Sequence, residues 1–180
     1  MKPGKIFKPL LFVCILLLAS SFFAGNSFAL ELRSSAFKDG EYIPVRYTGR
    51  GEDISPALEW SDAPEGTKSF VLIMDDPDAP MGTWIHWVVY SIPADVTGLK
   101  ENVPPKPVLN DGTEQGINSF RRIGYGGPHP PPGLAHRYFF KLYAIDTKPN
   151  LRMGTNKGTV LRAIQGHILE RAQLIGLFKR

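Results

Sequence analysis

Between residues 30 and 145 the chain alternates short apolar runs with clusters of Gly, Pro, Asn and Asp, the pattern of β-strands joined by turns and loops. Strands are predicted at Tyr42 to Tyr47, Phe70 to Met74, Ile85 to Ile92 and Arg137 to Ile145. The second and third are nearly unbroken in hydrophobicity, which suits central strands covered on both faces. From Leu99 to Ser119 the chain turns polar, with Pro104, Pro105 and Pro107 close together and Asp111-Gly112 after them, so a long surface loop is expected there. After Asn150 the period changes. Val160, Ile164, Ile168, Ala172 and Ile175 recur every three or four residues, which predicts one amphipathic helix, N-capped by Thr155 or Asn156 and stopped by Gly176. The fold class is therefore mainly β, one domain over residues 30–180 with a helix near its C-terminal end and no internal repeat.

The first 29 residues have a different character. Lys2, Lys5 and Lys8 precede an apolar run from Leu10 to Ala19, and small residues lead to Ser27-Phe28-Ala29, the layout of a secretory signal with cleavage expected after Ala29. The run is short for the roughly 20 apolar residues of a membrane span, so no stable membrane span is expected after cleavage. This assignment changes the reading of charge. The full chain carries 21 basic and 17 acidic residues and a net charge of +4, but three of the lysines lie in the leader, which leaves 18 against 17. A basic surface for nucleic acid is therefore not expected. Cys14, the one cysteine of the sequence, also lies in the leader, so the exported domain would have no disulfide, no thiolate nucleophile and no cysteine-held metal. The expected location is a periplasm or the exterior.

Familiar catalytic signatures are absent. There is no Gly-x-Ser-x-Gly and no His-Glu-x-x-His, and Gly154-Thr-Asn-Lys157-Gly is too short for a phosphate loop. Gly124-Tyr-Gly126-Gly127-Pro128 starts like a dinucleotide fingerprint but runs into prolines where a helix should open. Two polar clusters beside strands remain. The first is Asp75-Asp76-Pro77-Asp78-Ala79-Pro80 with Trp84-Ile-His86-Trp, which gathers polar groups at one end of the sheet as a pocket rim would; Pro77 and Pro80 stiffen it. The second is Gly124 to Gly133 followed by His136-Arg137-Tyr138. Its glycine amides can donate to an anion, and His136 and Tyr138, two apart on a strand, point to one face where both can donate to the same oxyanion. Each residue also has a purely structural reading. His86 between tryptophans suits a core histidine, Tyr138 suits packing, the aspartates suit turns, His129 suits a solvent-exposed loop and His167 a structural place on the helix.

These residues give the chain a close resemblance to the phosphatidylethanolamine-binding protein family, in its bacterial Raf-kinase-inhibitor-like branch. The resemblance is carried by Asp-Pro-Asp-Ala-Pro at 76 to 80 with Trp84-Ile-His86-Trp-Val-Val, by Gly-Tyr-Gly-Gly-Pro at 124 to 128 with His136-Arg-Tyr-Phe-Phe-Lys-Leu-Tyr-Ala144, and by Gly166-His-Ile-Leu and Gly176-Leu-Phe-Lys-Arg180. It implies a β-sandwich of largely antiparallel sheets with peripheral helices, and a small anion pocket where the two motif regions meet. By position, Asp76, Pro80, His86, Gly127, Pro128, His136 and Tyr138 would line that pocket. His129 departs from the pattern, standing where bacterial relatives often carry cysteine. The resemblance implies a binding protein rather than an enzyme, with no cofactor and no metal, taking a phosphate-like or carboxylate-like head group. Members of the family are also associated with kinase and protease inhibition, and export would make a protease the protein partner to expect. A metal-assisted hydrolase built on Asp76, Asp78, His86 and His136 is a third reading, without compact ligand spacing to support it.

Overall fold

The computed structural model describes Met1 and residues 29–180, so the expected leader lies outside the described residues. In chain order the described elements are β1 (Glu31–Arg33), a 3-10 turn (Val45–Tyr47), β2 (Leu58–Ser61), β3 (Ser69–Asp76), β4 (Trp84–Pro93), β5 (Gly98–Leu99), β6 (Glu114–Gln115), β7 (His136–Ile145), α1 (Lys157–Ala163) and β8 (Ile168–Phe178). The strands form two antiparallel sheets, a large one ordered β6-β4-β3-β7-β8 and a small one ordered β1-β2-β5. The mainly β class and the sandwich expectation hold.

All eight residues of β3 are buried, because the strand is covered on both faces. Its even positions, Phe70, Leu72 and Met74, pack with Leu32, Leu58 and Trp60 of the small sheet, which places the main core between the two sheets. Its odd positions, Val71 and Ile73, pack with Val88 and Tyr90 of β4 beneath Val160 of α1 and Ile164 at its end. Each fully buried aliphatic side chain contributes about 1.5–3 kcal/mol. The near-continuous hydrophobicity of β3 and β4 is thus the imprint of two separate cores.

Two predicted elements are corrected. Tyr42 to Tyr47 is not a strand: Pro44 supplies no N–H, Val45–Tyr47 turn as a 3-10 helix, and Ile43 is buried while its amide donates to the Leu177 carbonyl. Together with Gly40, whose amide donates to Ile175 O, this segment covers part of the outer edge of β8. The helix expected through Ile175 ends at Ala163. Asn156 caps it as expected, accepting from the Thr159 amide at 3.0 Å, but the left-handed residue that follows is Gly166 (φ +85°), ten positions before Gly176. Ile168 and Ala172 instead belong to β8, whose last residues alternate with Leu174, Gly176 and Phe178 buried. His167 accordingly lies off the helix, paired with Asp146 at 2.8 Å. The stretch Leu99 to Ser119 is largely loop, yet it is not all surface. Thr113, Gln115 and Asn118 are buried, and Gln115 accepts from the Trp87 indole at 2.8 Å while donating to the carbonyls of Pro104 and Lys106.

Gly176 has a packing role. A Cβ there would collide with the Ile43 side chain and approach Phe37 to 2.9 Å, both in the inter-sheet core. Gly176→Ala should therefore destabilise the fold by about 1–3 kcal/mol. Denaturant unfolding measures this; an unchanged midpoint would contradict the assigned packing.

Candidate functional site

The site forms where the inner face of the large sheet runs out of the apolar core. Along β3 that face continues from Met74 to Asp76, and along β7 it continues from Phe140 back through Tyr138 to His136. Strand alternation alone delivers these three side chains to one place. His86 needs something more. Met74 pairs with Trp87 and Asp75 with Ile85, so β4 has one extra residue at this point, a β-bulge at His86. The bulge lets His86 face the cavity while Trp87, next in sequence, points into the same inter-sheet core.

The resulting cavity has a volume of about 210 Å³, large enough for a head group and below the usual range for drug-sized ligands. Its floor holds Asp76, His86, His136 and Tyr138; Pro80, Trp84, Phe120 and His129 stand among the residues that complete the wall. Five of the seven residues expected from the sequence, Asp76, Pro80, His86, His136 and Tyr138, are brought together. Gly127 and Pro128 are not part of the lining.

The glycine amides are committed elsewhere. Gly126 N–H donates to the His86 carbonyl at 3.0 Å, and Gly127 N–H donates to Asp53 Oδ1 at 2.6 Å. Glycine is needed at both positions for close approach: a Cβ on Gly126 would lie 2.7 Å from the Phe120 ring, and one on Gly127 2.6 Å from the Tyr47 carbonyl. The expectation that these amides would cradle an anion is corrected; they tie the second motif region to its surroundings. Asp53 also pairs with Arg122 at 2.7 Å, and Arg122 lies over the Phe120 ring. Phe120 meets Trp84 and His86 edge-on at 5.4 and 5.5 Å, forming an aromatic wall. Phe120 and Asp53 sit in loops whose approach depends on tertiary crossing, and no local pattern in the sequence marks them.

The acidic cluster divides by strand parity. Asp75, on the opposite face from Asp76, is fully buried and held by Lys141 at 2.7 Å and Lys157 at 2.5 Å. It is therefore a structural ion cluster on the α1 side rather than part of a pocket rim. Asp78 turns to Arg137 at 2.7 Å, whose hydrogen bonds hold its carboxyl down to about 2. Only Asp76 serves the cavity. Its Oδ1 accepts from the Asp78 amide at 2.8 Å, stiffening the turn, and its Oδ2 meets His136 Nδ1 at 2.7 Å. Among the described residues no three His, Cys, Asp or Glu side chains are grouped to hold a metal ion.

Hydrogen-bond partners fix the chemistry of the two inner imidazoles. Gly126 O, which can only accept, lies 2.5 Å from His86 Nδ1, so Nδ1 carries the proton and Nε2 is the remaining ring nitrogen. Burial pushes the His86 pKa below its ordinary value, against the raising effects of the Gly126 bond and of Asp76. His136 has the same orientation, with Nδ1 on the Asp76 carboxylate. Each Nε2 accepts a hydrogen bond when its ring is neutral and donates one when its ring is protonated. Tyr138 completes the floor, packed edge-on against His86 at 5.1 Å. Burial, reinforced by Asp76, raises its pKa far above the ordinary phenol value, which keeps it a donor. Its buried hydroxyl has no hydrogen-bond partner within the described chain.

The molecule is thus a two-sheet β protein whose central strands end in a small imidazole- and phenol-floored cavity. The chain belongs to the phosphatidylethanolamine-binding protein family, whose model matches residues 33–179. A UPF0098 protein of Methanothermobacter thermautotrophicus is 52% identical over 151 residues, covering 84% of this chain and 99% of that protein. Another from Aquifex aeolicus is 51% identical over 160 residues, covering 88% and 93%. Among solved structures, the phosphatidylethanolamine-binding protein homologue CT736 of Chlamydia trachomatis superposes with a TM-score of 0.77 at 39% identity, covering 84% of this chain and 98% of that one. Escherichia coli YbcL, described as a new member of the mammalian family, does so with a TM-score of 0.79 at 32% identity, covering 85% and 99%.

A depressed His86 pKa is a stability statement. Between the folded value and about 6.5 the unfolded chain binds more protons than the folded one, so this contribution to stability is complete at neutral pH and falls as pH drops below about 6.5. NMR titration of the ring should place the His86 midpoint below that of a free histidine; a midpoint at or above it would contradict the assigned burial.

Proposed function

We propose that this protein is an exported, non-catalytic binding protein whose cavity takes a small oxyanion head group, phosphate-like in preference to carboxylate-like. The observation that carries this reading is the Tyr138 hydroxyl, a buried donor lining the cavity with no partner in the described chain. An unsatisfied buried hydroxyl costs about 1–3 kcal/mol, and a ligand oxygen relieves that cost. The histidines favour phosphate by their tautomers. With both Nδ1 protons directed into the protein, neutral rings offer acceptors at Nε2. A carboxylate has no proton to give them, whereas a hydrogen phosphate can donate one and accept from Tyr138. Protonation of either Nε2 adds a charge-assisted bond of about 1.5–3 kcal/mol, so a few such contacts support roughly micromolar affinity. Export is supported by the N-terminal segment, and N-terminal sequencing of secreted protein should begin at Leu30; a start at Met1 would contradict it.

The binding reading has a direct test. Calorimetry with phosphate or phosphoethanolamine from pH 5.5 to 8 should show affinity falling as pH rises, because alkali removes the proton shared between anion and imidazoles. Tyr138→Phe should weaken binding about tenfold while raising the unfolding free energy by about 1 kcal/mol, since it deletes the unsatisfied group. A pH-independent affinity would rule out the histidine role, and undiminished binding by Tyr138→Phe would remove the observation on which the reading stands.

A further inference from the structure

The face of the large sheet turned away from the main core is only partly covered. Val160 and Ile164 seal it over β3 and β4, and Tyr143 of β7 packs at the margin of that cluster. Beyond Tyr143 the face lies open: Arg171 and Gln173 of β8 are exposed, and Phe139 and Lys141 of β7 are half-buried. Cross-strand pairing sets Tyr143 beside Arg171 and Lys141 beside Gln173. The Arg171 guanidinium lies over the Tyr143 ring at 5.8 Å and the Lys141 ammonium over the Phe139 ring at 5.2 Å, so cations alternate with rings along this surface. Two shallow concavities meet here, sharing Tyr143 and Arg171, and Arg162 of α1 borders one of them; no carboxylate lines either.

Charge on this face is not balanced. Arg137 is matched by Asp78, but Lys141 and Lys157 share the single carboxylate of Asp75. Arg162 donates to a neutral hydroxyl, Thr159 Oγ1, at 3.1 Å, and Arg171 has no carboxylate within ion-pair distance among the described residues. Glu170, the acid next to Arg171 in sequence, belongs to the opposite face by strand alternation. A domain with nearly equal numbers of acids and bases therefore keeps Arg162, Arg171 and one charge of the lysine pair unmatched on one side.

The edge of the same strand is also open. Ile175 turns its N–H to Asp39 Oδ1 and its C=O to the Gly40 amide, both at 2.8 Å. Pairing with β7 runs unbroken from Ile175 to Arg171, so Gln173 and Arg171 turn their amides and carbonyls the same way, and no loop of the described residues bonds to them there.

We propose that Arg171 and Gln173 form a docking edge for an extended acidic segment of a partner protein. The segment adds to β8 as a strand and sets carboxylates at alternate positions against Arg171, Arg162 and Lys141. Its backbone bonds supply affinity, and the charges select the partner. A second copy of β8 pairing through this edge would bring two Arg171 guanidiniums side by side, which disfavours self-assembly. The surface is separate from the cavity, which Tyr138 and His136 floor from the other face of β7.

The test measures fluorescence anisotropy of a labelled peptide, Thr-Glu-Val-Glu-Val-Glu-Thr, at low ionic strength. This peptide should bind, its Lys-for-Glu counterpart should not, and Arg171→Glu should weaken binding about tenfold. Arg162→Glu, an exposed change on a different element, should act in the same direction, so the charge requirement does not hang on one variant. N-methylation of the Glu nitrogens or of the Val nitrogens keeps the peptide's charge and removes the donors of one edge only. One of these two peptides should lose about tenfold while the other stays within twofold. Equal effects of the two methylations, or binding unchanged by both charge reversals, would overturn the docking edge. So would failure of the acidic peptide to bind, whether the protein then adheres to phosphatidylglycerol vesicles, which would assign the face to a membrane, or sediments as a dimer, which would assign the edge to a second copy.

Discussion

The register of β3 between β4 and β7 is the constraint on which the site depends. Because Phe70 pairs with Ala144 and Met74 with Phe140, the face that carries the inter-sheet core also carries Asp76, Tyr138 and His136 beyond it. A slip of one residue would send Asp76 to the α1 side and bring Asp75 to the cavity. The buried core thus fixes the polar site by continuity: the same alternation that fills the sandwich determines which of two neighbouring aspartates meets an imidazole. The bulge in β4 adds the one element that alternation cannot provide, a histidine and a tryptophan in succession on the same side.

Much of this was legible in the sequence. Near-continuous apolar runs mark β3 and β4, and in β7 the two-residue spacing of His136 and Tyr138 places them on one face. The limits are equally physical. Apolar residues at 160, 164, 168 and 172 satisfy a helical period, yet only the first two lie at α1, because Gly166 breaks the chain between them and the strand that follows. Gly166 has the left-handed backbone that a helix stop uses, whereas Gly176 lies inside β8. At the site, sequence identified the charged and aromatic residue types but not the use of the backbone. Whether a glycine amide is free for a ligand depends on what crosses it, and Asp53 lies more than 70 positions from Gly127 along the chain.

The division of labour among charges follows from burial. Asp75 is enclosed by two lysines, Asp78 and Asp53 are neutralised by arginines at the surface, and of these four aspartates Asp76 is left to orient an imidazole in the cavity. Truncating Asp75 would leave two partly buried ammonium groups without their shared counter-charge, a loss of several kcal/mol unrelated to ligand binding. The polar residues around the cavity consequently separate into those that hold loops in place and those whose remaining valences face inward.

The segment that covers the outer edge of β8 carries a different implication. Asp39 accepts from the Ile175 amide across a separation of 136 positions, and Gly40 and Ile43 add backbone bonds beside it. Such distant partners meet late in folding, since closing so long a stretch is entropically unfavourable until the sheets have assembled. Until then β8 presents bare amides and carbonyls capable of recruiting another chain. Damage to the Asp39–Ile43 strap would thus show itself first as self-association during refolding, before any change in the cavity at the far end of β3.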